Sequence, residues 1–212
     1  MKNKITFIIL IIVAVTVVVG ISFYFIKKNK APTNFVGNTT LPSQAEVNNQ
    51  TNSEQLQSKL VTDDFEISLP EGWRKTAPAM GAVAMAVKAD EELTDPAAQK
   101  INFRSYFAVS YDTLQEKSLS EYVQSVKSQL QQIISGVVFA QEHDTTINDK
   151  PAQAFEASFT QQGVNFKMLM VVVKGVGDDV WVMSFNTLQD TWTEYQKIFS
   201  DIASSFKLKL KN

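Results

Sequence analysis

The chain has 212 residues, a formal net charge of −2 and no cysteine, which excludes disulfides, thiolate metal sites, cysteine nucleophiles and a lipid-modified cysteine anchor. The charge is unevenly spread: residues 60–212 carry 20 acidic against 14 basic side chains, while the first 59 residues are net basic. An acidic domain without a basic stripe lacks the phosphate-neutralising charge on which nucleic-acid binding rests, so no nucleic acid is expected as a partner.

Ile5–Ile26 (ITFIILIIVAVTVVVGISFYFI) contains no charged residue. As a helix it would reach roughly 33 Å, enough for a hydrocarbon core of about 30 Å. Many of its residues are β-branched, but in lipid the backbone must hydrogen-bond to itself, so helix is the expected state. Phe23 and Tyr24 fall near one end and Lys27-Lys28 stop the run, the order expected at a membrane interface. The run exceeds the apolar core of a cleaved signal peptide, about 7–15 residues. Residues 1–28 therefore read as one transmembrane signal-anchor, with the membrane as partner. A short basic amino-terminal tail predicts a cytoplasmic amino terminus and an extracytoplasmic domain. The opposite orientation is the alternative, because lysines flank both ends. Residues 29–58 are rich in Asn, Gln, Ser, Thr and Pro and too poor in apolar groups to offset ordering, which predicts a disordered tether spanning roughly 30 Å. Residues 59–212 suit a single globular domain.

Within that domain, Phe65, Ile67 and Leu69 alternate with polar residues, which predicts a strand. Leu69-Pro70-Glu71-Gly72 fits a type I turn, so that Phe65–Leu69 and the strand opened by Trp73 form a hairpin. Ala82–Lys88 and Ile101–Tyr111 read as further strands, the latter with Ile101, Phe103, Phe107, Val109 and Tyr111 on one face. Ser118 and Glu121 form a capping box, behind which Leu119, Tyr122, Val123, Val126, Leu130, Ile133 and Ile134 repeat at helical spacing, ending at Gly136. Val137–Ile147 and Ala152–Thr160 flank an Asn148-Asp149-Lys150-Pro151 turn. Val164–Val173 and Val180–Phe185 are apolar at nearly every position, which predicts central strands covered on both faces. A last helix carries the stripe Trp192, Tyr195, Ile198, Phe199, Ile202 and Phe206. The sum is an α+β fold, an antiparallel β-sheet flanked by helices.

Few residues suggest chemistry. His143 is the sole histidine, no Gly-x-Ser-x-Gly elbow is present, and Glu142, His143 and Asp144 alternate faces on a strand, so they are not expected to converge on a metal. Asp90, Glu91, Glu92 and Asp95 read as a solvated acidic loop. No catalytic, metal or cofactor-binding residue is assigned, and no cofactor is expected. The apolar segment Pro78–Met85 could rim a pocket beside Trp73, which makes Trp73, Met80 and Met85 candidate pocket or interaction residues, although the core is the simpler place for Trp73.

In FEISLPEGW, SLSEYVQSVKSQL, INDKPAQAFEASF, the apolar hairpin and YQKIFSDIASSFK, spanning residues 65–208, the chain resembles the PsbP-like superfamily, which includes DcrB-type bacterial envelope proteins. The resemblance implies a PsbP-like α/β/α sandwich and an accessory or binding role without catalysis, toward a protein or small ligand. DcrB-type proteins are often anchored through a lipidated cysteine, which Ile5–Ile26 would replace here. The alternative function is an envelope hydrolase using carboxylates such as Glu71, Asp112 and Glu142.

Overall fold

The computed structural model describes residues 58–79 and 81–209; the expected transmembrane segment, residues 29–57 of the expected tether and Met80 lie outside them, while Ser58, expected to end the tether, opens a strand by pairing with Leu69. Among the described residues no helix is long and apolar enough to cross a membrane. Ten strands and three helices follow in the order β1 (Ser58–Val61), β2 (Phe65–Leu69), β3 (Trp73–Thr76), β4 (Ala84–Lys88), α1 (Pro96–Lys100), β5 (Tyr106–Thr113), α2 (Leu119–Ile133), β6 (Val138–Ile147), β7 (Lys150–Gln161), β8 (Val164–Lys174), β9 (Asp179–Leu188), α3 (Trp192–Ser204) and β10 (Lys207–Leu208). They build two antiparallel sheets, one of seven strands ordered β3-β4-β5-β9-β8-β7-β6 and one of three ordered β1-β2-β10.

β8 and β9 lie in the interior of the large sheet, as their unbroken apolar runs predict, and each face has its own core. Tyr122, Val123, Val126 and Leu130 of α2 and Ala98 of α1 pack on one face with Met85, Tyr106, Met168 and Met170. Tyr195, Phe199 and Ile202 of α3 pack on the other with Phe107, Met183 and Phe185. That second face is covered by more than a helix: Leu60, Phe65, Ile67 and Leu69 of the small sheet join the same core. The α/β/α description is therefore extended by a three-stranded sheet. Its edge strands β1 and β10 are too short to carry a periodic signal.

The opening hairpin is corrected. β2 and β3 belong to different sheets, and Trp73 N–H donates to the Pro70 carbonyl (3.1 Å), so the turn is Pro70–Trp73, one residue later than expected. Gly72 at its third position has φ +79°, the pattern of a type II turn, which needs a residue free of Cβ there. The turn thus passes the chain from the small sheet to the large one. By contrast Asn148 (φ 45°) and Asp149 (φ 64°) join Ile147 to Lys150 directly, a two-residue type I′ hairpin of the kind Asn and Asp favour.

Two other expectations change. Ile101–Ser105 is irregular, and β5 starts only at Tyr106; Phe103 packs with the α2-side core while Phe107 packs with the α3-side core. The short helix before it accounts for the difference: Asp95 caps α1 by accepting from Ala97 N–H (2.7 Å) and Ala98 N–H (3.0 Å), and Ile101, Asn102 and Phe103 donate their N–H groups back to α1 rather than to a ladder. On α2 the capping box forms as read, but Ile133 is 42% exposed, lying in the last turn, where the helix gives way to Ile134.

Candidate functional site

Registers across the large sheet align a polar row on the α3 face. Ser158 pairs with Lys167, and Lys167 with Thr187. Ser105 precedes Tyr106, which pairs with Asn186, and accepts at its carbonyl from Lys88 N–H (2.8 Å). Alternation then points all of these toward α3. The Ser105 hydroxyl donates to Glu91 Oε1 (2.6 Å) and its N–H donates to Glu91 Oε2. Ser105 Oγ also lies 2.7 Å from Thr187 Oγ1, which lies 2.7 Å from Thr191 Oγ1. The Tyr195 phenol completes the cluster: burial first, then the charge and hydrogen bond of Glu91, push its pKa up. The Glu91 carboxylate is the acceptor at the end of this chain, taking the Ser105 hydroxyl proton.

Chemically this cluster is a clamp. Ser105 and Thr187 are fully buried, and their hydroxyls are engaged with Glu91, with Thr191 and with each other. What the cluster joins is the segment between β4 and α1, the start of β5, the end of β9 and the first turn of α3. Beside it, Lys167 pairs with Glu156 (2.7 Å) with both side chains nearly buried, and its ammonium stands 5.3 Å from the Trp192 ring centroid. A nearly buried charge is tolerated only when paired in this way.

The acidic segment is thus only partly solvated. Glu91 serves the clamp and Asp95 caps α1. Asp90 meets the Lys88 ammonium at 3.0 Å, whose hydrogen bond holds its carboxyl below the usual range. The three loose hydrolase carboxylates do not meet. Glu71 sits in the β2–β3 turn, where its carbonyl accepts from Lys88 Nζ (3.2 Å). Asp112, near the opposite end of β5, accepts from Tyr122 OH (2.9 Å). Glu142, on the edge strand β6, binds Lys127 (2.6 Å) and Gln124 (2.8 Å) of α2. His143 turns instead to the Gln141 carbonyl (2.8 Å) and Asp144 to Gln153 (2.7 Å). Among the described residues no His, Cys, Asp and Glu cluster is arranged to hold a metal.

Trp73 is 3% exposed and Met85 1%, and they belong to cores on opposite faces, so the sheet separates them. The residues of the clamp were not among the candidates. Their signal was the polar interruption of apolar runs, Ser105 in INFRSYF and Asn186-Thr187 in VWVMSFNTL.

Two of the exposed large hydrophobic side chains among the described residues lie at the end of the sheet where β5 and β9 meet the α2 entry. Val176 is 71% exposed and Tyr111 40%. Tyr111 OH donates to Asp179 (2.7 Å), and Gln115 N–H donates to Asp178 (2.9 Å). The Asp179 hydrogen bond, partial burial and the charges of Asp179, Asp112 and Asp178 raise the Tyr111 pKa.

No family model matches the sequence, and no characterised protein matches it by sequence. Solved structures do. Cyanobacterial PsbP from Synechocystis aligns with a TM-score of 0.53 at 14% identity, covering 80% of this chain and 99% of that one. LpqN of Mycobacterium tuberculosis, described as involved in cell envelope biogenesis, aligns with a TM-score of 0.53 at 15% identity, covering 74% of this chain and 88% of that one. At such identities the likeness is one of fold alone, and the fold of the described domain is PsbP-like.

Proposed function

We propose that the chain is a membrane-anchored accessory module, whose PsbP-like domain is held outside the cytoplasm by Ile5–Ile26 and the polar tether and acts by binding a protein or small ligand rather than by catalysis. The observation that carries this reading is the PsbP-like fold itself, placed behind an apolar run long enough to span a bilayer. The role of LpqN in cell envelope biogenesis is in keeping with it. Attachment also gives the domain a direction. Ser58 pairs with Leu69, beside the turn into Trp73, so the chain arrives at the Trp73 end. Tyr111, Val176 and Asp179 stand at the other end of the large sheet.

The test is external protease treatment of intact cells, combined with a photo-crosslinking residue at position 176 in the full chain. The reading expects the domain to be digested from outside and a discrete crosslinked species to co-purify. A domain that survives while outer markers are cut would place it in the cytoplasm. No crosslinked product above background in native membranes would remove the binding role.

A further inference from the structure

Asn186 is the polar side chain that the fold leaves unanswered. It is fully buried in β9, between Tyr106 of β5 and Met168 of β8. Alternation turns it away from Thr187 and the clamp, toward the core shared by α1 and α2. Neither its Oδ1 nor its Nδ2 has a hydrogen-bond partner. A buried amide without a partner is costly, and native structures keep one where something answers it.

The surroundings are apolar and rich in aromatic and thioether side chains. Phe103 contacts Tyr106 (centroids 6.2 Å apart) and Phe166 (5.2 Å), on the two strands that flank β9, and so stands over the β9 positions between them. Phe103 is carried by the irregular loop between α1 and β5, next to Asn102 at φ 51°, so its side chain belongs to neither a helix nor a ladder. Met85, Met168 and Met170 belong to the same core, and thioether side chains repack around irregular shapes more readily than branched ones.

We propose that Asn186 is the recognition group of an enclosed site, roofed by Phe103, for a small, neutral and largely apolar molecule with a hydrogen-bond donor and acceptor side by side, as in a lactam or primary amide. The carboxamide offers the complementary pair, so such a guest makes two parallel hydrogen bonds. A charged guest is disfavoured because the walls supply no counter-charge to offset its desolvation. This site stands independently of the accessory role, which survives its failure.

The experiment is thermal unfolding of the detergent-solubilised full chain with δ-valerolactam, and with N-methyl-δ-valerolactam, which lacks the donor. The lactam should raise the midpoint with concentration as a native-state ligand does, with the N-methyl compound at least about tenfold weaker, because it leaves Asn186 half-paired. Asn186→Leu should unfold at a higher temperature than the parent without ligand and lose the lactam response. Equal responses to the two compounds, or none to either, would overturn the site. So would an Asn186→Leu midpoint below that of the parent, which would show an internal water answering the amide. The two compounds decide the matter on the unaltered chain even where the variant does not fold.

Discussion

Replacing Trp73 by Ala removes the ring that joins the first strand of the large sheet to α3. Trp73 is 3% exposed, and its ring centroid lies 5.9 Å from Phe107, 6.4 Å from Tyr195 and 6.1 Å from Phe199, the last two edge-on. Truncating a buried Phe or Trp costs about 3–5 kcal/mol in lost transfer energy and residual cavity. The walls here are a strand and a helix with interlocked rings, which collapse poorly, so about 4 kcal/mol is the working figure. With a urea slope near 2–3 kcal/mol/M, the midpoint should fall by roughly 1.3–2 M. Urea unfolding of the full chain in mild detergent, followed by far-UV circular dichroism, reads this without relying on tryptophan emission. Trp192→Ala is the control, since Trp192 is only partly buried at the start of the same helix, and it should cost less. A loss below about 1 kcal/mol for Trp73→Ala would refute the reasoning, and altered ligand binding at such a small loss would make Trp73 a platform.

Lys167→Met should destabilise by about 3 kcal/mol or more because it strands the Glu156 carboxylate, whereas Glu156→Leu together with Lys167→Met should recover most of the loss; chemical denaturation of the three variants checks it. Ser118→Ala removes the α2 capping box and should cost about 1 kcal/mol, read by the same titration. Burial raises the pKa of Tyr106, Tyr122 and Tyr195. Each therefore holds its proton in the folded state at a pH where the unfolded chain has released it. This stability is intact below about pH 10, the ordinary tyrosine value, and declines above it by up to about 1.4 kcal/mol per pH unit for each residue. Urea midpoints from pH 9 to 11 should fall less steeply in Tyr122→Phe than in the parent, and equal slopes would refute the assignment.

Where local pattern and tertiary burial coincide, the sequence is a reliable guide. Ser118 and Glu121 define the start of α2 because a capping box is decided by neighbours in the chain. The runs through Val171–Val173 and Val180–Met183 announce central strands because both faces must be covered. Phe65–Leu69 fails differently: its alternation marks a strand correctly but carries no information about which sheet receives it. Pro70 and Gly72 suit a type I or a type II turn shifted by one residue, and only the Trp73 N–H bond to the Pro70 carbonyl distinguishes them. Phe103 misled because it keeps the parity of Phe107 while lying outside the strand. Glu91 was legible only as a surface acid, since its partners Ser105 and Tyr195 arrive from elements distant in the chain.

The clamp and the unanswered amide are linked through one short loop. Ser105, where β5 begins, is fixed by Glu91 and Thr187, while Phe103 N–H donates to the Ala98 carbonyl (3.0 Å) at the end of α1. The loop that carries Phe103 is thus held at both ends, and its left-handed Asn102 takes up the change of direction. Thr191 spends its hydroxyl on Thr187 and the Leu188 carbonyl (3.2 Å), and α3 begins without a side-chain cap. A threonine N-cap is worth about 1 kcal/mol, so the fold forgoes local helix stability to complete a network between elements remote in sequence. The network in turn sets where the roof over Asn186 stands. Polar residues placed inside the apolar runs of β5 and β9 thereby organise both faces of the sheet, the clamp on one and the enclosed amide on the other.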